Sequence, residues 1–509
     1  MIKSKAAAPD TYNFAKRHPK LMRKTLGKAG LTVSSCGFGS YRVDYRVREH
    51  FEAMEYAIEN GINLIDTSAN YSDGGSEILI GNVLLDLINQ GKIKREEIVI
   101  VTKGGYLQGK NLEAAKQMKE SGKGYKEITE YTDNLWHSIH PDFLKDQITF
   151  SLERMKLESA DIYLLHNPEY FLDSPMAKEL EPEELIHEYY NRMKKAFEYL
   201  ETEVQNGRIS CYGISSNAFV KPSDELVFTS LEKCLNLAND ISLDNHFYVI
   251  QLPLNLFERG AIVNKNQLGD TLSLIELAGK HKIGILINRP LNALNEKGLN
   301  RLSDFEIDEE FTKLEEAHII AEINLLDSME EDFLRNYIEV LNLSEQNKQA
   351  INYFLKAGQL LKENWKNFGS IEGFNDIKKR FLIPRVNYAL TTLVSSANLT
   401  DEMKDRIDKI AKQVNKLMKI MDSIYGLMAN VRSKELHLKL NTLVKQSEGD
   451  KFMNLSLSQK ALLMINSINV ISCTLVGMRQ KKYVDDVIGC LKEPKIPKAI
   501  GKWKNLDFS

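Results

Sequence analysis

Four polar side chains carry the chemistry this sequence offers. Asp66 ends the run INLID, Lys103 ends IVIVTK, His166 ends IYLLH, and Tyr71 follows Asp66 by five residues. A carboxylate, an amine, an imidazole and a phenol are the parts needed to tune one tyrosine proton for work on a carbonyl. A free phenol, with a pKa of about 10, is a poor acid at neutral pH. An ammonium at Lys103 is expected to stabilise the phenolate and lower that pKa. Asp66 would keep Lys103 charged and oriented. His166 would hydrogen-bond a carbonyl oxygen or share a proton with Tyr71.

Groups so far apart in sequence need a scaffold that gathers strand ends. From Lys24 to Pro290, short apolar runs alternate with amphipathic segments. Predicted strands are Val33–Phe38, Leu64–Asp66, Ile98–Lys103, Ile162–His166, Cys211–Ser215, Val249–Leu252 and Ile283–Asn288. Predicted helices are Arg48–Asn60, Ser76–Asn89, Pro141–Met155, Glu184–Asn206 and Asp270–Lys280. Such alternation, with near-continuous apolar strands, indicates a parallel sheet covered on both faces. An eighth unit, Ile471–Val476 between Ser456–Ile465 and Gln480–Leu491, points to a closed α/β (β/α)8 TIM barrel. Polar residues at the C-terminal ends of its strands then read as catalytic. The segment KTLGKAGLTVSS, punctuated by Gly27 and Gly30, reads as a β-hairpin before the barrel.

The seventh and eighth strands are too far apart for one crossover. Residues 296–455 are expected to form an all-helical insertion between strand 7 and helix 7, leaving 22–295 and 456–509 as a discontinuous barrel. Within it, Met403, Ile407, Ile410, Val414, Leu417, Met421, Ile424, Met428 and Val431 recur at four-three spacing, which predicts a long helix with a narrow apolar seam. Either packing inside the insertion or pairing with another chain would bury that seam. Gly104–His140 reads as a long surface loop over the site. With Tyr170 and Phe171, its Tyr131, Trp136 and His137 would line an aromatic pocket.

The motifs NLIDTSANYSDGGSEILIG, IVTKGG, DIYLLHNP, GRISCYGISSNAF, YVIQLPLNLFERG and CTLVGMRQ, in that order, resemble the aldo/keto reductases. The resemblance covers roughly residues 22–295 and 456–492 and stops at the insertion. It implies an NADPH-type cofactor, with NADH as the alternative, held at the C-terminal face without a dinucleotide-binding fold. No GxGxxG follows a strand here. It places the proton-relay tetrad on Asp66, Tyr71, Lys103 and His166. Nicotinamide contacts fall on Ser215, Ser216 or Asn217, the duplicated serine leaving two registers open, and on Gln251, beside Gly39, Ser40 and Tyr41. Pyrophosphate contacts fall on Arg289 and Leu291, and adenosine-phosphate contacts on Gly477, Met478 and Arg479. Asp486 takes the adenine position. Two departures stand out: Asn288 occupies a place where the family often stacks an aromatic, and Val487 replaces the asparagine that often reads adenine.

Bulk composition narrows the alternatives. The 509 residues are 43% hydrophobic and 27% charged with a formal net charge of -3, which gives no electrostatic case for nucleic acid or a membrane surface. No apolar run is long enough to span a bilayer. The N-terminus has no secretory h-region, and five scattered cysteines form no metal-ligating spacing, which together predict a cytoplasmic protein without a metal. Two functions follow as expectations. One is an NAD(P)H-dependent oxidoreductase that reduces a small aldehyde or ketone to an alcohol, with Tyr71 as general acid. The other is a nucleotide-sensing module that binds a protein partner, or a second copy, through the insertion.

Overall fold

The computed structural model of the chain describes residues 1–295, 298–305, 315–395, 398–448 and 450–506. The chain divides into two compact units, 1–291 with 443–509 and 292–442.

The first unit is a closed parallel barrel of eight strands: β1 Cys36–Gly39, β2 Leu64–Asp66, β3 Val99–Gly104, β4 Ala160–His166, β5 Ile209–Ser215, β6 Phe247–Pro253, β7 Gly284–Asn288 and β8 Cys473–Val476. Successive strands pair, and β8 closes the ring between β7 and β1 through Leu286↔Cys473 and Thr474↔Cys36. The helices are α1 Arg48–Glu59, α2 Gly75–Asn89, α3 Pro141–Met155, α4 Pro182–Gln205, α5 Leu231–Ile241, α6 Leu274–Lys280, α7 Leu457–Asn466 and α8 Lys481–Leu491. Their starts follow local chemistry. Pro141 and Pro182 occupy first turns, and Ser456 with Gln459 forms a capping box at α7.

Side-chain alternation places the site. Leu64, Val99, Val101, Ile162, Leu164, Cys211, Val249, Leu286, Cys473 and Leu475 form one buried cluster that fills the barrel interior. Leu26, Leu31 and Val33 join it from the hairpin Arg23–Thr25/Thr32–Ser34 and plug one end. Because side chains repeat every second residue along a strand, the next inward positions above this layer are Asp66, Lys103, His166, Ser215 and Gln251. Register levels three of them: His166 pairs with Ser215, which pairs with Gln251.

The sequence run Val33–Phe38 turns out to be two elements, the hairpin strand and β1, divided at Ser35. The predicted loop Gly104–His140 also differs. It contains a helix, Gly109–Glu120, and a three-stranded antiparallel sheet of Tyr106–Leu107, Leu135–His137 and Thr129–Thr132.

Among its described residues the second unit is helical apart from one strand pair, Asn292–Asn295 with Gly298–Arg301. Its longest helix is Asp401–Glu448. Ile407, Ile410, Val414, Leu417 and Met421 of this helix share a core with Ile319, Ile323, Leu326 and Phe333 of the helix Glu316–Tyr337. Burial within the unit thus accounts for the seam as far as Ile424. Met428 and Val431 depart from the expectation, being 57% and 61% exposed. Beyond this point the helix turns a different face inward, with Leu436 and Leu440 buried instead.

Candidate active site

Lys103 is the hub. Its side chain is fully buried, and its ammonium donates to Asp66 Oδ2 (2.8 Å), the Thr67 carbonyl (2.7 Å) and Tyr71 Oη (3.4 Å). Gln251 Nε2 donates to the other carboxylate oxygen of Asp66 at 2.8 Å, and Gln251 Oε1 accepts from Ser215 Oγ at 2.9 Å. Burial pushes the Asp66 carboxyl up and the Lys103 amine down, and each partner pulls the other back toward its charged form.

Tyr71 reaches this cluster from a sharply curled turn. Ser72 and Asp73 both hold left-handed backbones (φ 50° and 54°), and Ser72 Oγ donates to the Val43 carbonyl at 2.7 Å. The Tyr71 ring lies edge-on to His166, with centroids 6.1 Å apart, and Tyr41 packs edge-on to it from the solvent side at 5.2 Å. The structure therefore brings together the four groups singled out in the sequence. The direction of the Tyr71 shift is not the expected one. Burial first, then the Asp66 carboxylate and Tyr41, hold the phenol well above its usual range. A phenol so placed stays protonated at neutral pH, and the adjacent ammonium serves the phenolate only as it forms.

His166 is held by groups outside the tetrad, of which the sequence reading missed Ser68. Ser68 Oγ lies 3.0 Å from its Nδ1, Tyr106 meets its ring edge-on at 4.6 Å, and His137 Nε2 sits 2.7 Å from its carbonyl. Ser68 Oγ is also 2.8 Å from Asn70 Oδ1 and 3.3 Å from the Lys103 carbonyl, and Asn70 Nδ2 donates to Gln108 Oε1 at 3.0 Å. The small polar residues of TSAN, just past β2, were the available signal. Burial, then Lys103 and His137, depress the His166 pKa well below 6.5, so the ring is neutral. The chain turns away from β4 at Asn167, whose φ of 50° suits an asparagine and whose amide donates to Tyr106 Oη at 2.6 Å.

The expected aromatic pocket is only partly realised. Tyr106, Tyr131, Tyr170 and His137 form a ring cluster beside His166. Trp136 instead is buried with Lys116 and Lys119 over its ring, and Phe171 is buried beneath Arg192.

His137 yields a pH prediction. Burial lowers its pKa to about 4. The unfolded chain therefore takes up this proton below pH 6.5 while the folded chain resists until about pH 4, so stability falls as the solution is acidified through that window. The share is roughly 3 kcal/mol at about 1.4 kcal/mol per unit. Urea unfolding of His137→Gln beside the parent chain is expected to show their stability gap closing by about that much from pH 7 to pH 4. Parallel curves would contradict it.

The residues expected to hold a cofactor divide into two groups. Asn288 Oδ1 and Arg289 Nε, at and just past the end of β7, are buried and have no hydrogen-bond partner among the described residues. Past β8, a Cβ added at Gly477 would meet nothing within 4 Å. Buried polar atoms left without a partner suit a polar ligand at this strand end. Ser215 and Gln251 are in place at the same mouth, next to Ser216 and Asn217. Other positions are already engaged. The Ser40 hydroxyl donates to the Asp66 carbonyl at 2.7 Å, Met478 is buried, and Arg289 Nη2 is paired with Glu258 at 2.6 Å. The Asp486 carboxylate is partly engaged, accepting from Ser456 and Ser458 at the start of α7 (2.9 and 2.5 Å). Gly39, Leu291 and Arg479 are partly exposed, and Tyr41 is 65% exposed.

The closed parallel barrel thus carries acid, amine, imidazole and phenol at one mouth. Residues 36–245 match the model of the aldo/keto reductase family. The NADH-specific methylglyoxal reductase of Escherichia coli (strain K12) is 26% identical over 149 residues, 28% of this chain and 40% of that protein. The uncharacterized oxidoreductase YqkF of Bacillus subtilis (strain 168) is 23% identical over 286 residues, 56% of this chain and 70% of that protein. The chain thus spans under half the length of the first relative. Among solved structures, a holo-form aldo-keto reductase from Bacillus halodurans aligns over 96% of each chain, with 15% identity and a TM-score of 0.45.

Proposed function

We propose that this protein is an oxidoreductase that reduces a small aldehyde or ketone to an alcohol, using NADPH or NADH. The observation that carries the reading is the buried Lys103 ammonium, shared between Asp66 and the Tyr71 hydroxyl. A nicotinamide cofactor bound at the strand ends supplies hydride. Ser215, Ser216, Asn217 and Gln251 are suited to its carboxamide, and Arg289 and Arg479 to its phosphates.

The chain's own groups then manage the proton. As charge develops on the carbonyl oxygen, Tyr71 Oη–H is the acid within reach. The phenolate left behind is stabilised by the Lys103 ammonium 3.4 Å away. Asp66 holds that ammonium in place, and Gln251 holds Asp66. Neutral His166 orients the oxygen. The partly exposed, aromatic-rimmed mouth suits a small carbonyl compound.

The test is cofactor oxidation by the purified chain against a panel of aldehydes and ketones, with NADPH and NADH compared. Turnover with at least one carbonyl is the expected result. Tight cofactor binding with negligible turnover across the panel would reject the enzyme reading in favour of a nucleotide-sensing module.

A further inference from the structure

Resting on the reading above, we propose that Ser68, Asn70 and Gln108 form a hydrogen-bond relay that sets the tautomer of His166 and presents its Nε2–H to the cleft. The three are positioning residues, since none of them needs to touch substrate.

A neutral imidazole carries one proton on either nitrogen, and only Nε2–H donates to a carbonyl oxygen beyond the ring. The Nδ1 side is fully specified: its neighbour is Ser68 Oγ at 3.0 Å, in a buried setting. Ser68 has a single proton and three neighbours able to take it. The Lys103 carbonyl is the weakest claimant, at 3.3 Å and already accepting from the Ala69 N–H at 3.2 Å. The choice lies between His166 Nδ1 and the Asn70 amide at 2.8 Å.

The Asn70 amide decides it. Asn70 bridges Ser68 and Gln108, and Gln108 is an amide as well. Each amide presents an oxygen on one side and NH2 on the other, and a half turn of each exchanges these while keeping every contact. The relay therefore has two self-consistent polarities. With Asn70 oxygen toward Ser68, which is how the two amides are placed in the structure, the serine donates to it, and His166 must donate from Nδ1, leaving a bare Nε2; a half turn of both amides, at the same heavy-atom contacts, gives the alternative. With Asn70 NH2 toward Ser68, the order is Gln108 to Asn70 to Ser68 to His166, and Nε2 carries the proton. A developing negative charge on the carbonyl oxygen calls for a donor, which selects the second polarity. No charged group enters the relay, so the polarity is set by hydrogen-bond directionality alone.

Carboxylate substitution reverses the polarity, because a carboxylate only accepts. In Asn70→Asp, Ser68 must donate to the new acid. In Gln108→Glu, the acid takes the Asn70 NH2, turning the Asn70 oxygen toward Ser68. Both are near-isosteric and partly exposed, and the second acts from three hydrogen bonds away. The experiment reads ring-nitrogen chemical shifts of 15N-histidine-labelled protein, with the His166 signals identified by their loss in His166→Asn. The expected result is an Nε2–H tautomer in the parent chain, Nδ1–H in Asn70→Asp and Gln108→Glu, and a mixture in Ser68→Ala. An Nδ1–H parent, or a tautomer indifferent to all three variants, overturns the relay. Turnover separates the two levels of the claim. A reversed tautomer with kcat lowered on the order of 10²-fold supports the relay together with the reductase role of His166. A reversed tautomer with unchanged kcat supports the relay and counts against that role.

Discussion

Tyr71→Phe is expected to lower carbonyl turnover by about 10²–10⁴-fold while leaving cofactor affinity nearly unchanged. The substitution deletes one oxygen, the only atom of Tyr71 that Lys103 Nζ contacts as a hydrogen-bond donor. The ring keeps its edge-on packing against Tyr41 and His166, so the turn that carries it is retained. Steady-state kinetics with a fluorescence titration of bound cofactor separates the two effects. Undiminished turnover would remove Tyr71 from the acid role. The raised phenol pKa adds a pH signature. The protonated acid persists above the range of an ordinary tyrosine, so the reductive rate of the parent chain should hold to higher pH than free phenol would allow.

Lys103→Met should act on stability as well as rate. Asp66 would be left buried with the Gln251 amide but no counter-charge, an arrangement that costs about 3–5 kcal/mol. Its carboxyl, already pushed up by burial, would rise further without the ammonium. Adding Asp66→Asn to Lys103→Met is expected to recover most of the loss, because removing both charges is far milder than removing one. Urea unfolding of the parent, the two single variants and the double variant completes the cycle. Strictly additive losses would show that the pair is not coupled. Turnover should stay abolished in the double variant even where stability returns, since no ammonium remains beside Tyr71.

Much of this was readable in the sequence, for a physical reason. A strand buried on both faces is nearly all apolar, so a lone Asp, Lys or His at its end stands out, and the barrel rule says which end matters. Asp66, Lys103 and His166 were visible on those terms. Ser68 was not, because a serine in a turn of small polar residues has no distinguishing pattern until His166 lies beside it. The sheet of Tyr106–Leu107, Leu135–His137 and Thr129–Thr132 was hidden because strands this short, with a register shift, show no alternation. The serine partners of Asp486 were hidden for the opposite reason. Its match to a binding position is local, whereas its partners Ser456 and Ser458 lie on the preceding crossover. The seam at Met428 and Val431 persists in sequence after the buried face of the helix has rotated away.

The position of β8 in the chain bears on how the protein emerges from the ribosome. The first seven strands end at Asn288, and the strand that zips them shut begins only at Cys473, after the whole helical unit. At about 5–20 residues per second, translation needs roughly 10–40 s to cover that distance. For that time the nascent sheet has two bare margins, β1 and β7, with no partner yet made to cover them. The late arrival of a four-residue strand lengthens the time over which those margins are open to wrong pairing during biosynthesis.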